Sequence, residues 1–123
     1  MRQGEGCLRM DAYELFDLIM RQKKSDDSYF EFLRVPSLSM GIYTLPAGSR
    51  DLQEPHTEDE VYYVTHGKAA IRVGDEERQV SAGSIIFVAA NVHHYFYDIT
   101  EDLTVLVFFA PAEYSCQKAG LNI

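Results

Sequence analysis

Two imidazoles and a carboxylate stand out from an otherwise apolar and turn-rich chain. His56 and Glu60 fall in the run His56-Thr-Glu-Asp-Glu60-Val-Tyr-Tyr-Val-Thr-His-Gly67, and a further histidine pair, His93 and His94, follows the apolar stretch after Gly83. Two histidines and one carboxylate with open positions suit a divalent metal such as Fe(II), Mn, Ni or Zn. Such an ion could polarise a carbonyl, acidify bound water or activate dioxygen. Glu54, two residues before His56, is a further candidate.

Strand geometry limits which of these can meet. Glu54 and His56 on one regular strand would share a face about 6.6 Å apart, with Gln53 on the other. His56 and Glu60 on one straight strand would be roughly 13 Å apart, too far for ligand atoms that must lie about 2.0–2.2 Å from a common ion. Thr57-Glu-Asp59 must therefore bend, bringing His56 and Glu60 onto adjoining strands about 4.8 Å apart. Tyr62 and Val64 then share the face of Glu60, while Val61 and Tyr63 point away. His93 and His94 are neighbours, so one points inward, and strand parity alone leaves open which. Glu58 and Asp59 read as a solvated turn, and His66 as an exposed residue beside Gly67.

The elements that position these groups are short strands separated by turn residues. We expect strands at Tyr29–Val35, Ser39–Leu45, Asp51–His56, Glu60–Thr65 and Ala69–Val73, then at Glu77–Val80, Ser84–Val88, His93–Asp98 and Leu103–Phe109. Their punctuation includes Pro36, Gly48, His66-Gly67, Gly74, Gly83 and Thr100-Glu-Asp102. That pattern indicates an all-β antiparallel sandwich or barrel. Ahead of it, Asp11 as N-cap with Glu14 three residues on predicts a capping box. Ala12, Leu15, Phe16 and Ile19 give an Asp11–Lys24 helix one apolar face, suited to packing on the domain or on a second copy. The division is a tail and helix over 1–28, a β domain over 29–112 and a C-terminal tail over 113–123.

At 123 residues the chain is large enough for one closed core. It is 46% hydrophobic without an apolar run near membrane-spanning length, and no basic-then-apolar leader opens it, so a cytoplasmic location is expected. Met10 is a second candidate initiator. Cys7 and Cys116 read as free thiols. A formal charge of −8 with no Lys/Arg cluster argues against nucleic acid and anionic membranes as partners.

These residues resemble the small single-domain cupins. The family's first motif, Gly-x5-His-x-His-x3-Glu-x6-Gly, matches Gly48, His56, Glu60 and Gly67, with Glu54 where the first histidine should stand. The second, Gly-x5-Pro-x-Gly-x2-His-x3-Asn, matches Gly83 and His94, with Ala89, Asn91 and Asp98 as departures. The resemblance implies a double-stranded β-helix (jelly-roll) barrel, and a divalent metal held inside it by His56, Glu60 and His94. Glu54 is either a fourth ligand or turned outward. The expected pocket takes Tyr43, Tyr62, Val64, Ile71, Phe87 or Val88, Phe96 and aliphatics from Leu103–Phe109, with Arg34 and Arg50 as nearby cations. Two functions follow: a metal-dependent enzyme, dioxygenase-like or an isomerase or decarboxylase, acting on a small molecule; or a binding module whose metal is structural or anchors a ligand. Small cupins commonly pair, so a homodimer is implied.

Overall fold

A computed structural model describes residues 9–116, which form one short helix and an antiparallel sheet. In chain order these are α1 (Leu15–Lys24), β1 (Tyr29–Val35), β2 (Leu38–Leu45), β3 (Asp59–Val73), β4 (Glu76–Ser81), β5 (Ile85–Val88) and β6 (His94–Ala110). The order across the sheet is β1-β2-β6-β3-β4, with β5 paired to β3.

The strands are fewer and longer than the turn residues predict. His66-Gly67 and Thr100-Glu-Asp102 do not end strands; they lie within β3 and β6. The two strands pair throughout, from Asp59↔Ala110 to Val73↔His94, with register shifts between Val64 and Ala70. Each bulge adds an unpaired residue, which bends the ladder without breaking it. The first half of β3 can therefore pair with β5 while its second half pairs with β4. Gly67 makes the bend possible. Its φ is +99°, and a Cβ there would lie 2.3 Å from the Asp102 carbonyl oxygen.

Alternation holds along each half. Glu60, Tyr62 and Val64 are buried and Tyr63 is exposed, as period-two geometry requires. The core gathers Tyr62, Val64, Ile71, Phe96, Leu103 and Val105 with their neighbours from β2, β4 and β5. The predicted Asp51–His56 strand does not form; that segment is an irregular part of the connection between β2 and β3.

The helix also starts later than expected. Glu14 is its N-cap, without a side-chain capping bond, and Asp11 pairs instead with Arg9 at 3.2 Å. The helix rests on β1 and β2. Leu18 and Gln22 are its buried residues, and the Gln22 amide donates to the Thr44 hydroxyl (2.9 Å) and the Asp27 carbonyl (2.8 Å). Cys116 is an exposed free thiol, whereas Cys7 lies outside the described residues.

Candidate metal centre

His56 ends the β2–β3 connection, the chain bends at Thr57-Glu58, and Glu60 is the second residue of β3. His94 opens β6. It is buried, while His93 is exposed, so His94 supplies the inward imidazole. Potential ligand atoms of His56, Glu60 and His94 all lie within 4.8 Å of one another.

The spacing inside this group favours an ion over direct pairing. Glu60 Oε1 lies 3.2 Å from His94 Nε2 and 3.6 Å from His56 Nδ1. Yet Glu60 Oε1 and His56 Nδ1 are both buried without a hydrogen-bond partner. Ligand atoms at about 2.1 Å from one ion, subtending angles between square and tetrahedral, would be roughly 3.0–3.4 Å apart. The two distances from Glu60 are close to that spacing already, and the two imidazoles lie within 4.8 Å of each other. Leaving such atoms unmet is costly, and a divalent cation would satisfy both. The donor set of two imidazoles and one carboxylate fits that cation.

The second ring nitrogens are also engaged. His94 Nδ1 is 2.8 Å from the Val92 carbonyl oxygen. With that bond in place, Nδ1 carries the proton and Nε2 keeps a lone pair for the site. His94 Nε2 also lies 3.1 Å from the Tyr62 hydroxyl, which accepts in turn from the Gln53 amide at 3.0 Å. Burial opposes charging of His94, but the Glu60 carboxylate 3.2 Å away, the Val92 carbonyl and nearby acidic charge outweigh it and hold its pKa above the ordinary value. Burial and the Glu60 charge push the Tyr62 hydroxyl well up, so it stays protonated.

Glu54 is exposed and lies outside the group. The residue that turns inward is Gln53, because this segment is not a regular strand and alternation does not govern it. Asp51 shapes the segment: its carboxylate accepts from the Tyr43 hydroxyl (2.6 Å), the Phe96 amide (2.9 Å) and the Gln53 side chain (2.9 Å). Glu58 is a second correction. It is 1% exposed rather than a solvated turn, and its carboxylate accepts from the Tyr114 and Cys116 amides at 2.9 and 2.8 Å. Asp59 and His66 are exposed as expected.

A cavity of about 520 Å³ opens beside the group, and His56, Glu60, Tyr43, Tyr62 and Phe109 line it. Val64, Ile71 and Phe96 pack in the core and do not line it; Phe96 backs the Tyr62 ring at 5.0 Å. Val88 is buried, and Phe87 points outward. Arg50 lies at the cavity wall, whereas Arg34 donates to the Glu113 carbonyl at 2.7 Å. The cavity residues outside the sequence expectation include Tyr29 and Glu113. Tyr29 presents a buried hydroxyl with no partner. Glu113, in the segment read as a tail, is 6% exposed and reaches His56 Nε2 at 3.0 Å. No local motif marks either residue.

The cupin domain family matches the chain over residues 41–109. The chain is a cupin. The matched span runs from β2 to the end of β6 and contains all three residues of the group. An uncharacterised protein of Streptomyces coelicolor is 48% identical over 104 residues, covering 85% of this cupin and 99% of the relative. A cupin of Methanocaldococcus jannaschii with a double-stranded β-helix fold is similar over 93% of this chain and 97% of its own, at a TM-score of 0.65 and 18% identity. The DMSP lyase DddQ of Ruegeria pomeroyi superposes on 62% of this chain with a TM-score of 0.58 and 22% identity. This chain spans 39% of that lyase's length. At these identities the structural likenesses establish the double-stranded β-helix fold and do not carry an activity across.

Proposed function

We propose that this cupin is a metal-dependent enzyme that acts on a small organic molecule in its barrel, with dioxygenase-like oxidation as the leading reaction. The observation that carries the proposal is the pair of buried, partnerless atoms, His56 Nδ1 and Glu60 Oε1, at the wall of the cavity. A divalent ion held by His56, Glu60 and His94 would polarise a coordinated oxygen or activate dioxygen. The chain's own residues would orient the ligand. Burial, foremost, pushes the Tyr29 and Tyr43 hydroxyls far above their ordinary pKa. They remain hydrogen-bond donors at neutral pH, and the partnerless Tyr29 hydroxyl is free to meet an acceptor on the ligand. Arg50 at the wall suits a carboxylate. The fitting ligand is a small oxygen-bearing acid whose other end chelates.

One observation favours a second reading, a binding module without turnover. Glu60 and Glu113 are the only carboxylates lining the cavity among the described residues, and both already face imidazoles. Without metal chemistry the site therefore lacks a free carboxylate base, and a proton could pass only to an imidazole such as His56. Elemental analysis of protein purified without added metal, followed by oxygen-electrode assays with small chelating acids, separates the readings. The enzyme reading expects near-stoichiometric transition metal, and oxygen uptake that His94→Ala abolishes. Ligand-dependent thermal stabilisation without turnover supports the binding module. Less than about 0.2 equivalents of metal after reconstitution ends both metal readings.

A homodimer and a reducing, cytoplasmic setting belong to the same proposal. Tyr63, Ile85 and Phe87 are 39%, 69% and 61% exposed on the outward face where β3 meets β5. An apolar patch of this kind is suited to a second copy. Light scattering that returns a monomer at micromolar concentration removes the dimer. The exposed thiol of Cys116 fits a compartment that keeps cysteines reduced.

A further inference from the structure

The segment after β6 is built into the metal centre. The Glu113 amide donates to the buried Ser39 hydroxyl at 2.9 Å, and its carbonyl accepts from Arg34 at 2.7 Å. Ahead of it the Ala112 amide donates to the Pro36 carbonyl at 3.2 Å. After it, the Tyr114 and Cys116 amides donate to the two carboxylate oxygens of Glu58. Arg34, Pro36, Ser39 and Glu58 thus hold the backbone of one short turn, which fixes the point from which the Glu113 side chain projects.

That side chain is a buried carboxylate whose Oε2 lies 3.0 Å from His56 Nε2. On the opposite side of the same ring, Nδ1 is partnerless and 3.6 Å from Glu60 Oε1. Phe109 packs on the ring at 4.7 Å and limits its tilt. Packing against an aromatic face does not decide which way a ring turns about its last torsion. A 180° rotation would exchange Nδ1 for a carbon and remove the lone pair from the site. A carboxylate at Nε2 decides that rotation, because only one orientation gives it a proton to accept.

We propose that Glu113 is a positioning residue for the metal centre: it accepts the Nε2 proton of His56 and so commits the Nδ1 lone pair to the ion. This rests on the metal-site reading above. His94 is arranged in the opposite sense, with Nδ1 committed to the Val92 carbonyl and Nε2 to the site. The centre is therefore asymmetric, with one imidazole ligating through Nδ1 and the other through Nε2. Ligating histidines are commonly oriented by an acceptor at the second nitrogen, and loss of that acceptor typically costs about 10–100-fold in metal affinity. Here the acceptor for His56 comes from beyond the last strand, so the C-terminal turn and the metal site form one unit.

Long-range proton–nitrogen NMR of the full chain loaded with Zn²⁺ tests this directly, since the two tautomers give distinct cross-peak patterns. The expected result is His56 bound through Nδ1 with a protonated Nε2, and His94 in the opposite tautomer. Zn²⁺ bound to His56 through Nε2 overturns the proposal, and this measurement needs no variant to fold. In a chelator-competition titration, Glu113→Ala should weaken Zn²⁺ binding roughly 10–100-fold. Glu113→Gln, which keeps an acceptor oxygen, should recover most of the loss. Affinity of the alanine variant within about twofold of the parent overturns the proposal while leaving the metal site standing. A parent chain that binds no Zn²⁺ removes the metal site and this proposal together.

Discussion

Replacing Glu60 by Gln should raise the stability of the metal-free protein and abolish its response to metal. Glu60 is 2% exposed and its Oε1 has no hydrogen bond. A buried acceptor left unmet costs about 1–3 kcal/mol, and more when charged. Glutamine keeps the shape, removes the charge, and can donate its amide to a neutral imidazole nitrogen. A gain of about 1–2 kcal/mol follows, or roughly 5 °C in melting temperature for a chain of this size. With metal at a hundred times its Kd the parent gains about 2.7 kcal/mol, the variant gains nothing, and the order of stabilities reverses. The measurement is thermal unfolding by circular dichroism at pH 8.5, with and without Mn²⁺ or Zn²⁺. The pH matters because the pKa of His94 is raised in the folded state: burial opposes the charge, but Glu60 and the Val92 carbonyl prevail. A raised histidine pKa gives stability that is fully present below about pH 6.5, the unfolded value, and is lost as pH rises through the folded value. At pH 5.5 His94 is therefore protonated beside the Glu60 side chain, and the advantage of glutamine should shrink or change sign. A metal-free Glu60→Gln protein that melts lower than the parent at pH 8.5 would refute this reasoning. So would an equal metal-induced shift in both proteins.

Three further outcomes follow from the same geometry. Glu54→Ala should leave metal affinity within about twofold by competition titration, because Glu54 is exposed and outside the ligand group; a tenfold loss would bring it into the coordination sphere. Gly67→Ala should cost about 3 kcal/mol or more in urea unfolding, since it meets both an unfavourable φ of +99° and backbone atoms 2.3–2.9 Å from the new Cβ. A loss below about 1 kcal/mol would mean the bulge can relax. Tyr62→Phe should cost about 1–3 kcal/mol by the same method, because it strips a fully buried hydroxyl from Gln53 and His94; an unchanged unfolding midpoint would show that the pair finds another partner.

Much of the site is legible in the amino-acid sequence. His56 and Glu60 can share an ion only across a bend, and the chain bends at Thr57-Glu58. Period-two alternation puts Tyr62 and Val64 on the inner face of β3, where both are fully buried. The motif spacing that selects His94 over His93 agrees with their burial. The misreadings share a cause. His66-Gly67 and Thr100-Glu-Asp102 carry turn chemistry, but a bulge uses the same residues to bend a continuous ladder, and the local sequence does not separate the two. Gln53 and Glu54 exchange roles because their segment is shaped by bonds to Asp51 and not by a strand's alternation.

By itself the sequence determined the fold class and the chemical types at the centre, because both rest on local periodicity and on motif spacing. The tertiary structure decided how the centre is completed. Glu113 and Tyr29 come from the two ends of the β domain, and Glu58 changes from a turn residue to a buried anchor for the C-terminal turn. Only the closed sheet brings His56 against Glu113, across a gap of more than fifty residues in the chain. No local pattern encodes such a contact, since its free energy arises when distant segments are buried together and their polar groups must find partners.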